Sequence, residues 1–272
     1  MKSVTLFSLA IGTLILVTGC GSKQPIEVKS PALESAERLE HRAAASYAKG
    51  DSVGAAKDFQ TAAYVYESLA LVDALASVQL SLARIDSDDG RPVGALARVN
   101  RVLNLPSTGA TLAPQTLLLA QGRAAALYMQ QKNLTAADDA LAAAEALCAS
   151  PCEALSALST LRAGWHLASG DWITAKTKAV LALGQANTPS DKANALRSLA
   201  QISLAQSLFP QATQDGLQAL QLDQSLGASD RVIADLDLLA SIYTQAGDAR
   251  KAVEYLGLSR AATTARAQLH GK

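Results

Sequence analysis

Three cysteines and three histidines are the residues of this chain best suited to nucleophilic or metal chemistry, and their spacing decides what they can do. Cys148 and Cys152 enclose three residues, which is not the Cys-x-x-Cys of redox proteins. No further cysteine or close histidine completes a zinc site around them. A short structural disulfide is therefore favoured over a reactive thiol pair. His41, His166 and His270 are scattered, none with a partner three or four residues on. His166 follows Trp165 and reads as a packed or groove-lining ring rather than a general base. Asp138 and Asp139, like the run Asp86, Asp88 and Asp89, read as solvated helix ends rather than as a general acid and base. The chain has no Gly-x-Ser-x-Gly elbow, phosphate-binding glycine loop or His-Glu-x-x-His helix. No catalytic residue, metal or cofactor is expected.

The composition points to what must position any site. Lysine and arginine together number 24, as do aspartate and glutamate, so neither a nucleic-acid footprint nor a basic membrane-binding face is supported. Hydrophobic residues make up 49% of the chain and aromatic ones only 4%. A core of Ala and Leu suits close helix packing and argues against a sandwich or barrel.

The stretch from Leu238 to Leu256 shows how those helices are arranged. It reads as two amphipathic helices joined at Gly247 and Asp248, glycine ending the first and aspartate capping the second. Ala240 and Ala252 are small where the helices must approach, while Tyr243 and Leu256 are large where a gap must be filled. Six such units align on Ala55, Ala95, Ala137, Ala175, Ala212 and Ala252, which lie 37 to 42 residues apart. A second small residue recurs twelve positions earlier, at Ala43, Ala83, Ala125, Ala163, Ala200 and Ala240. Four positions after the reference stand Phe59, Val99, Leu141 and Leu256, but Ala179 and Gly216 in units four and five, so unit five is the expected place for irregularity. Asn104 to Pro114 reads as an extended connection.

This pattern resembles the tetratricopeptide repeat, although each unit is longer than the family's 34 residues. The resemblance implies an all-α, right-handed α-solenoid of about six helix-turn-helix units over residues 30–268, with the first helix of each unit on the concave face. Carried over residue by residue, it places Tyr47, Leu80, Arg84, Met129, Arg197 and Gln201 in a partner-binding groove. The lysine and asparagine that clamp a peptide carboxylate in one branch of the family are missing from those positions, which disfavours a chaperone-tail receptor.

Ahead of the repeats, Lys2, an apolar run from Val4 to Val17 and then Thr18, Gly19 and Cys20 resemble a bacterial lipoprotein signal peptide. The run is shorter than the ~20 apolar residues a membrane span requires. The resemblance implies that residues 1–19 are a removed leader, that Cys20 carries the lipid, and that residues 20–29 are a lipidated tether. Gly21 in place of an aspartate implies the periplasmic face of the outer membrane. The expectation for function is a non-enzymatic adaptor, anchored by lipid, that binds envelope protein partners in envelope or pilus assembly. Unit one would stay near the membrane and unit six would point away from it. The alternatives are a cell-wall hydrolase or thiol-active enzyme using Cys148 and Cys152, and a small-ligand receptor with a deep cavity rimmed by Trp165 and Trp172.

Overall fold

Ser30 opens the first helix: its hydroxyl accepts from the backbone N–H of Leu33 at 3.2 Å. Pro31 takes the first helical position, where a missing N–H leaves nothing unsatisfied. The computed structural model describes residues 30–149 and 151–270, the side chains of the last two excepted. The expected leader and tether, with Cys20, lie outside the described residues.

Among the described residues twelve α-helices follow in antiparallel pairs, and there is no strand. The pairs are α1 (Pro31–Ala48) with α2 (Ser52–Ser68), α3 (Val72–Asp88) with α4 (Pro92–Asn104), and α5 (Pro114–Gln130) with α6 (Leu134–Leu147). Next come α7 (Leu155–Ala168) with α8 (Trp172–Gly184), α9 (Pro189–Ala205) with α10 (Phe209–Ser225), and α11 (Ser229–Gln245) with α12 (Ala249–His270). The units exceed 34 residues in two ways. α9 and α10 are each 17 residues long, whereas the link between α4 and α5 contains a 3₁₀ turn, Leu105–Thr108, inside the extended connection.

The turns are built alike. Beyond α1, α5 and α11 a backbone N–H reaches back five residues to a carbonyl: Asp51 to Ser46 at 2.9 Å, Asn133 to Tyr128 at 2.9 Å and Asp248 to Tyr243 at 3.0 Å. This closure needs a left-handed residue just before it. Gly247 supplies one with φ of 81°, but Ala70, Lys132 and Ser207 adopt it without being glycine. Asp51, Asn133, Asp171 and Asp248 then cap the second helices by accepting from the N–H three residues on, at 2.8 to 3.2 Å.

The twelve small reference residues are all buried, which is what two rows of close helix contacts require. Unit five is regular, contrary to expectation. A Cβ on Gly216 would stand 3.1 Å from Leu239 Cδ2, so the leucine of α11 fills the space that a bulky side chain fills elsewhere. Leu256 departs in the other direction and is 38% exposed rather than gap-filling.

First helices touch across units, α3 with α5, α5 with α7, α7 with α9 and α9 with α11, while successive second helices make no comparable contact. The first helices therefore line the inner, shorter-radius side. The curve is tight enough that its ends meet. α12 touches α2, and Arg266 Nη2 on α12 lies 4.0 Å from Oδ1 of Asp89, just beyond α3. At Gly50, with φ of 90°, a Cβ would come within 2.7 Å of Ser229 Oγ. The expectation that unit six points away from unit one is thus corrected: the last unit returns to the first two, and the inner face becomes the wall of a lumen.

Candidate partner-binding face

Of the six residues placed in the groove by sequence, the structure brings Tyr47 and Arg84 together. Their helices, α1 and α3, belong to neighbouring units, and the Arg84 guanidinium carbon lies 4.9 Å from the Tyr47 ring centre. The Tyr47 hydroxyl donates to Asp88, whose carboxylate also stands 3.8 Å from Arg84 Nε. Burial, and to a lesser degree Asp88, push the Tyr47 hydroxyl well above its ordinary range, so it stays a donor. Met129 is half-buried beside Gly164 of the next unit. Gln201 is exposed on α9.

Two placements are corrected. Leu80 is 0% exposed and packs in the core with Ala83, Ala95, Val99 and Leu141, because at this point α3 leans on α4 and α5. It cannot touch a partner in this fold. Arg197 faces not the lumen but two carboxylates that are 0% exposed: its Nε donates to Asp235 at 2.6 Å and its Nη2 to Asp223. Burial pushes the Asp235 carboxyl up to about 6, the arginine opposing and Asp223 adding to the rise.

Sequence reasoning missed this pair of aspartates and two arginines. Asp223 and Asp235 sit on apolar helix faces, directly after Leu222 and directly before Leu236. A charge on such a face is the signal that could have revealed them. Arg123 stands on α5 of unit three and Arg231 on α11 of unit six, each partly buried. Burial first, and then the positive charge of Arg84, lower both. Arg123 comes down to about 10, so it remains a cation at neutral pH. Arg231 Nη1 donates to Asn194. Arg123 Nε is buried without a hydrogen-bond partner.

The other residues singled out by sequence have structural partners. Asp138 and Glu145 hold Arg162, with Glu145 Oε1 accepting from its Nε at 3.0 Å. Burial works against ionisation of Asp86, but hydrogen bonds from Arg91 and Arg98 hold its carboxyl below the usual range. His166 sits edge-on to Trp165, ring centres 4.9 Å apart, with Nδ1 3.4 Å from Asp171. His41 is exposed. Among the described residues no group of three His, Cys, Asp or Glu could hold a metal ion.

Cys148 and Cys152 are joined, with Cα atoms 5.4 Å apart, and close the link between α6 and α7. Closing so short a loop contributes about 2 kcal/mol in the chain-entropy model. Thiol labelling of the oxidised protein should find neither residue free, and reduction should lower unfolding stability by about that amount. Labelling at both positions before reduction would refute the bond. A cavity of about 200 Å³ opens beside it, lined by Cys148, Leu155, Leu158, Arg162, Lys178 and Leu181 among others. Neither Trp165 nor Trp172 lines it. The Trp165 indole N–H donates to Leu134 O at 2.8 Å and Trp172 is exposed, so this cavity is not the tryptophan-rimmed one expected of a small-ligand receptor.

No family model and no curated protein matches the chain. Among solved structures it is similar to a Rap protein complexed with competence and sporulation factor, with TM-score 0.59 and 13% identity over 88% of this chain and 78% of that one. BtubC (BKLC) from P. vanneervenii is similar with TM-score 0.53 and 18% identity over 85% and 92% of the two chains. A tetratricopeptide repeat protein from Parabacteroides merdae aligns with TM-score 0.44 and 15% identity over 88% and 98%. At such identities the likeness concerns the fold alone. That fold is an all-α solenoid of six tetratricopeptide-like helical pairs.

Proposed function

We propose that this chain is a non-catalytic adaptor that binds an envelope protein through its inner face while a lipid on Cys20 holds it at the periplasmic side of the outer membrane, in envelope or pilus assembly. The observation that carries the binding half is the lumen wall. Tyr47, Arg84, Arg123, Met129, Gln201 and Arg231 present aromatic, cationic, thioether and amide groups from five of the six units, more than helix packing needs. The Rap protein, which shares the fold, is seen in complex with a factor. The anchoring half is supported by the sequence around Cys20, and among the described residues no helix is long and apolar enough to cross a membrane.

Both halves can be tested with the full-length chain. Separated envelope fractions should contain the wild type in the outer membrane and Cys20→Ser in the periplasmic extract. Cross-linking of the tagged wild type in cells should enrich one envelope protein, and Arg84→Gln combined with Gln201→Glu should remove that enrichment while the chain keeps its helical circular-dichroism spectrum. Equal enrichment by the double variant would show that the partner does not use the inner face, and Cys20→Ser remaining in the membrane would show that Cys20 is not the anchor.

A further inference from the structure

We propose that the ring is a gated clamp: unit six closes on units one and two through the end of α12, and this seam must open for the partner to reach the inner face. The inference rests on the reading of the inner face as the partner's site and adds what controls entry to it.

α12 is longer than its unit requires. The other second helices run for 13 to 17 residues, whereas α12 has 22, and Arg266 is its eighteenth counted from Ala249. The surplus turn makes the contact across the seam. Asp230 on α11 holds Arg266 Nη1 at 2.6 Å, and Nη2 comes within 4.0 Å of Asp89 Oδ1. Asp89 is shared rather than dedicated to this contact: Ser52 Oγ stands 3.4 Å from the same oxygen and Arg91 Nη2 3.2 Å from the other. Elsewhere along the seam Ser229 meets Gly50, where any side chain would collide with the serine hydroxyl.

Three observations mark the seam as the place where the ring opens. Neighbouring units are joined by the chain and share apolar cores, the first of them spanning α1 to α3 and the last α9 to α12. Among the described residues no buried apolar cluster joins unit six to unit one or two. The ion pair across the seam is partly exposed, and such pairs contribute little. The closed seam also leaves Ser229 Oγ and Arg266 Nε buried without a hydrogen-bond partner, a cost that opening removes by returning them to water. Closure is thus a weak balance of close packing and one charge pair against two unsatisfied donors. An internal segment of a partner has no free end with which to thread along the axis of a closed ring. It enters through the seam, and reclosure then holds it against the inner helices.

The test is a covalent lock. A Cβ on Gly50 would lie 3.8 Å from Ser229 Cβ, the spacing found in disulfides. In the full-length protein Gly50→Cys with Ser229→Cys should therefore oxidise to a closed ring, read by mass spectrometry. Folded protein whose two cysteines do not join overturns the closure itself. Oxidised before it meets solubilised envelope extract, the locked ring should lose the cross-linked envelope protein that the wild type enriches, and reductant should restore it. Wild type given the same reductant controls for Cys148 and Cys152. Equal enrichment by the locked and the reduced ring overturns the gate. Opening is also read without a partner, from the distance between spin labels on Lys57→Cys in α2 and Ala261→Cys in α12, both exposed. With Arg266 intact the labels should show a short distance and a minor longer one. Arg266→Glu, which sets like charges against Asp89 and Asp230, should shift the population to the longer distance. An unchanged distribution overturns the proposal, and this measurement decides it should Gly50→Cys fail to fold at its left-handed φ. Where no form enriches any protein the adaptor reading fails, and the label distances alone decide whether the seam opens.

Discussion

Replacing Arg197 with leucine should cost the folded protein about 3–5 kcal/mol at neutral pH, the usual penalty for breaking a buried ion pair by removing one partner. Asp223 and Asp235 have no access to solvent, and Arg197 is their shared counter-ion. Without it two carboxylates face each other in a medium that solvates neither. The loss has a pH signature. The carboxyl of Asp235 is raised from its ordinary value near 3.8 to about 6, so between those values the folded chain holds a proton that the unfolded chain has released. Stability therefore falls as pH rises through that window and levels off above it. In Arg197→Leu the carboxyl should rise further, so the deficit at pH 7 should shrink markedly at pH 5. Asp235→Asn should flatten the dependence, because it leaves one arginine matched to one aspartate. Urea unfolding followed by far-UV circular dichroism at pH 5 and 7 measures all three. An Arg197→Leu protein within 1 kcal/mol of wild type at pH 7 would contradict the network.

That result would also separate two kinds of arginine that look alike in the sequence. Arg84 and Arg197 occupy inner-helix positions of their units, and sequence alone makes both candidate anchors for a partner. Only the neighbours distinguish them. Arg84 meets a tyrosine and a half-exposed aspartate, whereas Arg197 meets two aspartates buried by the following helices. Those aspartates are 26 and 38 residues away, so no local pattern marks them as partners. What the sequence made legible was of another kind. A small residue every 37 to 42 positions, with a second one twelve residues before it, reports a contact repeated within each unit, and Ala43 with Ala55 or Ala163 with Ala175 are buried as that spacing demands. Ring closure was illegible for the opposite reason. It depends on the summed curvature of six units, and the pairing of Arg266 with Asp89 is a consequence of that sum rather than of any nearby residue. The orphaned nitrogen of Arg123 belongs to the same class, because its surroundings come from units one and two as well as its own.

Leu80→Ala should cost about 2–5 kcal/mol, toward the upper end of that range. The size of such a loss depends on how far the site can collapse around the missing atoms. The neighbours of Leu80 include Ala76, Ala83, Ala95 and Ala124, and alanine has no rotamer with which to reach into a void. Only a movement of whole helices could close it, and α3 is held on both sides by α4 and α5. The placement of Leu80 in the groove, taken from the family pattern, demands a different outcome: unchanged stability and weaker capture of the partner. The structure demands lower stability and, in the fraction that stays folded, unaltered capture. Gln201→Ala provides the counterpart, since an exposed residue without a packing role should change stability by less than about 0.5 kcal/mol. Measuring unfolding and partner capture for both variants therefore separates core from lumen on the inner helices. Equal and small stability changes would mean that α3 is turned so that Leu80 reaches the lumen after all.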